Sequence, residues 1–114
     1  MPLLKIQTNQ KITADVKQSA IKAASELVAS EIGKPERYVM VAFEPTQPMV
    51  FAGSDKPCAY LELKSIGLTE DKAKSLSTVL CEFVDSQLGI PADRIYIEFA
   101  DAPGTMWGWN GSTF

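Results

Sequence analysis

The chain opens MPLLKIQTN, and the residue there with the most chemical potential is the second. Pro2 stands directly behind Met1 and ahead of a run that reads as a strand. Two readings are open. Proline is tolerated at the first position of a strand, where its missing N–H removes no ladder bond. Alternatively, Met1 is removed and Pro2 becomes a free secondary amine, held rigidly at a sheet edge. Other chemistry is sparse. The chain has no His, which removes the commonest general base and the commonest metal ligand. Cys58 and Cys81 lie far apart and form no CxxC pair, so zinc and thiol-redox readings have almost nothing to stand on. Two small buried thiols are expected rather than a disulfide. Any chemistry must come from an amine, a carboxylate, a phenol or the backbone.

The totals bound what those groups can serve. A chain of 114 residues reads as one domain, and 46% hydrophobic residues suffice for a core. A net charge of -3 with no cluster of Lys or Arg gives no footprint for nucleic acid. There is no run of about 18 apolar residues, so no membrane span is expected. The start lacks a basic segment followed by an apolar one, so a cytoplasmic location is the expectation.

The elements that must position these groups come in two copies. Thr13 matches Thr69, Asp15 matches Asp71, Ser19 matches Ser75, and Glu26 matches Glu82, all at one spacing. Val28 and Val84, Ser30 and Ser86, Gly33 and Gly89, Pro35 and Pro91, and Phe43 and Phe99 continue the series without a gap. Each half starts with an apolar strand, LLKIQ at 3–7 and CAYLELKSI at 58–66. A helix follows. Thr13 and Thr69 are suited to cap it, and Asp15, Glu70 and Asp71 place negative charge in its first turn. Helical spacing joins Ala20, Ile21, Ala24, Leu27 and Val28, then Ala73, Leu76, Leu80, Phe83 and Val84. Gly33 and Gly89 suit the left-handed position past a helix end, and Pro35 and Pro91 block continuation. A second strand follows in each half, YVMVAFEP at 38–45 and RIYIEFAD at 94–101.

The unit is therefore βαβ, used twice, over pseudo-repeats of approximately 2–57 and 58–114. Such crossovers are right-handed almost without exception. The prediction is an α+β fold: a four-stranded mixed sheet with two helices on one face, in a single domain over 1–114. Residues 46–57 link the halves, with room for one short strand, and the aromatic tail at 106–114 is too short for a further unit. Strand residues Val39, Val41 and Phe43 alternate with Met40 and Ala42, so both sheet faces read as apolar. An apolar face left open by the helices implies a partner surface, hence a homo-oligomer that packs sheets together.

The MP start, GKPERY at 33–38, KSIG at 64–67, DRIYIEF at 93–99 and GWNGSTF at 108–114 resemble the macrophage migration inhibitory factor family of the tautomerase superfamily. The resemblance runs the length of the chain, and the combination of motifs is specific where any one alone is not. It implies a homotrimer with sites at subunit interfaces. It implies that processed Pro2 is the catalytic base of a cofactor-free keto–enol tautomerase of phenylpyruvate-like α-keto acids. The physics agrees: an α-amino group titrates at about 7.7–8.0, and burial or a nearby cation lowers it. A base poised near ambient pH is what proton shuttling needs.

The same resemblance makes Lys34 a cation for the substrate carboxylate, where the plainer reading is a surface lysine at a helix C-terminus. It assigns substrate contacts to Ser65 and to the Ile66 backbone amide. It places Tyr38, Trp109 and Phe114 beside the pocket, though each could equally lock a subunit interface. Tyr96 and Glu98 share one strand face, opposite Ile95, Ile97 and Phe99, and would enter a neighbouring subunit's pocket. Glu98 departs from the family, which has asparagine there. A carboxylate would repel an anionic substrate and raise the amine pKa, so weak activity is expected. Trp107 replaces a smaller apolar residue and would narrow the pocket. CAYL at 58–61 replaces the animal members' CALC, so the thiol oxidoreductase activity attributed to that motif is not expected. Animal members are also secreted signalling proteins, which leaves a cytokine-like binding protein with a residual pocket as the alternative. Decarboxylation or hydration of a small acid ranks lower, because those branches use extra arginines and only Arg37 and Arg94 are present.

Overall fold

A computed structural model describes residues 1–114. In chain order it contains β1 (Leu3–Thr8), α1 (Ala14–Ile32), β2 (Met40–Glu44), β3 (Ala59–Ile66), α2 (Glu70–Leu88), β4 (Ile95–Ala102), β5 (Gly108–Trp109) and β6 (Ser112–Thr113). The two helices begin and end alike. The Thr13 hydroxyl accepts from the Val16 amide at 3.4 Å, and the Thr69 hydroxyl from the Lys72 amide at 3.2 Å. Gly33 at φ 75° and Gly89 at φ 70° then end them in the left-handed conformation that a side chain disfavours.

The large sheet has the order β2-β1-β3-β4. β1 runs parallel to β2 and β3 parallel to β4, as two βαβ units require. The units join through an antiparallel β1–β3 pair, with Leu3 opposite Lys64 and Thr8 opposite Ala59. Alternation fixes which side chains meet the helices. Leu4, Ile6, Leu61 and Leu63 point to the helix layer and are buried against Ala24, Val28, Leu76, Leu80 and Val84. No helix is long and apolar enough to cross a membrane.

The structure refines the local expectations. The second strands start later than the apolar pattern suggests. Pro35 and Pro91 each open a single 3-10 turn, Glu36–Tyr38 and Ala92–Arg94, so β2 begins only at Met40 and β4 at Ile95. The linker forms no strand, only one bridge between Phe51 and Ser54. The tail, as expected too short for a further unit, forms a hairpin: β5 and β6 pair antiparallel around Asn110 and Gly111. Both turn residues have positive φ, 52° and 79°, the geometry of a tight two-residue hairpin.

The open sheet face is also more polar than expected. The register sets Ala42, Lys5, Glu62 and Glu98 side by side across all four strands. The next row toward the far end is Glu44, Gln7, Tyr60 and Tyr96. Lys64 pairs with Glu62 at 3.7 Å, the Tyr60 hydroxyl donates to Glu62 at 3.1 Å, and Gln7 donates to Glu44 at 2.6 Å. Met40 and Tyr96, each 66% exposed, share this face with Leu3 and Ile66, and the charged lane between them breaks the apolar surface.

Candidate active site

Pro2 lies one residue before β1 and is fully buried. Its carbonyl accepts from the Met40 amide at 3.0 Å, which ties it to the start of β2. On the other side, the β1–β3 register brings it opposite Ser65 near the end of β3. Pro2 is thus inserted between two strands at one end of the sheet, with no N–H demanded of it.

Lys34 reaches the same place from the helix layer. Gly33 reverses the chain, and the Gly33 and Lys34 amides both donate to the Ala29 carbonyl, at 2.9 and 3.1 Å. From there the Lys34 ammonium donates to the Ser65 hydroxyl at 3.2 Å and to the Ile66 carbonyl. An ammonium has three donors, so one remains for a ligand or for the chain terminus. The turn beyond Ile66 is pinned by Asp101, whose carboxylate accepts from the Gly67 and Leu68 amides at 2.8 and 3.0 Å.

The electrostatics at this end of the sheet favour a neutral amine. The terminal amine in this structure is that of Met1. Its pKa is pushed down from 8.0 to about 6, first by burial, then by a hydrogen bond from Lys34 and by the Lys34 charge. Each cause penalises the protonated form.

An aromatic cluster flanks this end of the sheet. The Tyr38 ring meets Trp109 edge-on at 5.6 Å and Phe114 edge-on at 6.1 Å. Trp109 and Phe114 stack at 5.7 Å and 17°. Tyr38 is placed by the 3-10 turn after Pro35, four residues from Lys34 in sequence. The other two rings are placed by the terminal hairpin, whose end is fixed by the Phe114 amide donating to the Gly104 and Trp107 carbonyls at 3.1 and 3.2 Å. Trp107 joins none of these ring pairs; its backbone carbonyl holds Phe114.

The structure therefore groups Pro2, Lys34, Ser65 and Ile66, with Tyr38, Trp109 and Phe114 forming an aromatic cluster of their own. Tyr96 and Glu98 stand apart. Tyr96 is in register with Tyr60, five residues along β3 from Ser65. At about 3.3 Å per residue that is on the order of 16 Å from Pro2. Tyr96 instead packs on Phe51 at 4.8 Å, beside an apolar cavity of about 380 Å³. Glu98 is exposed beside Glu62. Sequence reading did not single out Gly104, Asp101 or Asn110–Gly111, which shape the site's borders; only the Asn-Gly pair carried a recognisable signal. Both thiols are free, Cys58 buried and Cys81 half-buried, with burial pushing the Cys81 thiol pKa up.

Two βαβ units joined antiparallel into one sheet, helices on a single face and Pro2 buried between strands match the tautomerase superfamily fold. A family model described as macrophage migration inhibitory factor (MIF) matches residues 1–114. The macrophage migration inhibitory factor homolog of Brugia malayi is 41% identical, with 100% of this chain and 99% of that protein covered. The homologue of Prochlorococcus marinus superposes with a TM-score of 0.93 at 44% identity, covering 98% of each chain. That of Trichinella spiralis gives 0.91 at 36%, covering 98% of this chain and 99% of the other. The chain belongs to the macrophage migration inhibitory factor family.

Proposed function

We propose that this protein is a cofactor-free keto–enol tautomerase of aryl α-keto acids, an isomerase that uses the amine of processed Pro2 as its base. The observation that carries this is the meeting of a buried proline and Lys34 at one end of the sheet, where the Met1 amine has its pKa lowered to about 6. Removal of Met1 moves the terminus to Pro2. A secondary amine outside an amide has a free lone pair, and burial pulls its pKa in the same direction. The amine takes a proton from the carbon next to the keto group and returns it to oxygen, or the reverse. Lys34 uses its remaining donor on the substrate carboxylate. Ser65 orients Lys34, and the Ile66 amide contacts the substrate.

Tyr38, Trp109 and Phe114 receive the aryl ring. Tyr96 and Glu98 complete the pocket from a neighbouring copy, in a homotrimer with sites at its subunit boundaries. The separation of these two residues from Pro2 within one chain supports that arrangement, and the charged lane of the open face then lies inside the assembly. Glu98 brings a negative charge to a site built for an anion, so turnover is weaker than with asparagine. Sedimentation of the native protein together with phenylpyruvate enol–keto interconversion tests the proposal. Three copies and catalysis by the processed protein are expected; a processed protein that is inert would leave the pocket as the binding site of a cytokine-like protein.

A further inference from the structure

Arg94 has more side-chain hydrogen bonds than any group in the site, yet it lies outside it. It ends the 3-10 turn after Pro91, immediately before β4. Its Nε donates to the Pro57 carbonyl at 2.8 Å and its Nη1 to the Phe51 carbonyl at 3.1 Å. Its Nη2 donates to the Ser54 and Lys56 carbonyls, each at 3.0 Å. All these acceptors lie in the irregular segment that links the two repeats. A guanidinium presents its donors in one rigid plane, so a single side chain sets the positions of several carbonyls at once. Its partners are carbonyl dipoles, not carboxylates; the ion pair within the chain is Lys64 with Glu62.

The segment so held carries Phe51. The Arg94 guanidinium carbon sits 5.3 Å from the Phe51 ring centroid. Phe51 in turn lies 4.8 Å from the Tyr96 ring, inclined at 56°. Tyr96 is 66% exposed, so few other groups of its own chain restrain it. Its ring also borders the cavity shared with Met49, Val50, Cys58 and Tyr60. The order of control runs from Arg94 to the linker carbonyls, to Phe51, to Tyr96.

We propose that Arg94 is a positioning residue: by fixing the linker it holds Phe51 against Tyr96 and sets the angle at which Tyr96 enters the neighbouring subunit's pocket. The destination of Tyr96 rests on the tautomerase reading; the brace itself does not. The consequence is selective. Pro2 and Lys34 act on the α-keto acid end of a substrate, Tyr96 on its ring. Loosening the brace weakens recognition of the ring and leaves proton transfer intact.

Arg94→Lys in the full chain tests this, because lysine keeps the charge and replaces the rigid planar fork with a single flexible ammonium that cannot reach all four carbonyls at once. The phenylpyruvate KM is expected to rise about tenfold, the scale of one lost pocket contact. Turnover should stay within about twofold, since no transition-state group is removed. Deuterium exchange at C3 of 2-oxobutanoate, which has no ring, should be unchanged. Tyr96→Ala should show the same ring-selective loss, and the double variant no further loss. Phe51→Leu, which leaves the clamp and most of the apolar volume, should reproduce it if Arg94→Lys folds poorly. Unchanged phenylpyruvate KM in a folded variant, or equal losses on both acids, overturns the proposal. Ring-to-ring NOEs between Phe51 and Tyr96 separate the two levels. They should be present in the wild type and lost in Arg94→Lys; their persistence overturns the brace. An inert wild type, by contrast, overturns the tautomerase reading and leaves the brace to the NOEs.

Discussion

Replacing Lys34 with methionine keeps an apolar stem and deletes the charge, and two consequences can be worked out separately. The first concerns the base. The Met1 amine beside Lys34 has its pKa lowered from 8.0 to about 6, with burial the largest cause and Lys34 supplying the other two, and the Pro2 amine exposed by processing is expected to be lowered by the same causes. In Lys34→Met the burial remains, so the pKa rises towards its ordinary value and stops short of it. In the proposed mechanism the free amine is the active form, so activity is expected above that pKa and is lost as pH falls through it. The ascending limb of the kcat/KM profile therefore moves to higher pH in the variant. At pH 7 an amine of pKa near 6 is roughly nine-tenths free and one near 8 slightly under one-tenth free, so this effect alone costs at most about tenfold. The second consequence concerns the substrate. A hydrogen bond from a charged donor contributes about 1.5–3 kcal/mol, so KM rises on the order of tenfold to a hundredfold. The assay is phenylpyruvate enol–keto interconversion from about pH 5 to pH 9, where the limb of kcat/KM reports groups on the free enzyme. The lost carboxylate contact acts at every pH, whereas the base effect fades at high pH. A variant with the same limb and the same KM as the wild type would refute the role given to Lys34.

Glu98→Asn should raise turnover or affinity for phenylpyruvate, because it removes a negative charge from an anion site; no gain in either counts against a pocket role for Glu98. Gly104→Ala would set a Cβ 3.1 Å from the Phe114 carbonyl oxygen, a backbone atom that must shift. The phenylpyruvate KM should then rise a few-fold to about tenfold with thermal stability nearly unchanged, as expected for a displaced pocket wall. An unchanged KM would mean that the terminal ring is not part of the site.

The helices were the most legible elements, because their signals are local. The Thr13 and Thr69 caps and the Gly33 and Gly89 stops each depend on a few neighbouring residues. Their recurrence at one spacing then made the fold readable as a duplication. The strand starts were less legible. Tyr38 and Val39 look like strand residues, but Pro35 presets a 3-10 turn that consumes Glu36–Tyr38 before pairing with β1 begins. The open face was only partly legible for a related reason. Met40 and Ala42 suggested an apolar surface, whereas the cross-strand register that sets Lys5, Glu62 and Glu98 in a row is non-local. At the site, Pro2 and Lys34 were recognisable as chemical groups through the motif that contains them. Their convergence on Ser65 depends on the antiparallel joining of the repeats, which no local pattern specifies. Arg94 was visible only as one of the chain's two arginines and as part of the DRIYIEF motif, since its carbonyl partners follow from the path of the linker.

The central claim is that the amine of Pro2 is the base. Intact mass and phenylpyruvate interconversion on one sample test it most directly, with Pro2→Ala and a Met1-bearing form measured beside the processed wild type. The account predicts that the processed protein is active and that Pro2→Ala loses most of that activity. It also predicts that the Met1-bearing form is inactive, because its Pro2 nitrogen is an amide. Equal activity with and without Met1, or a Pro2→Ala protein as active as the wild type, would contradict it.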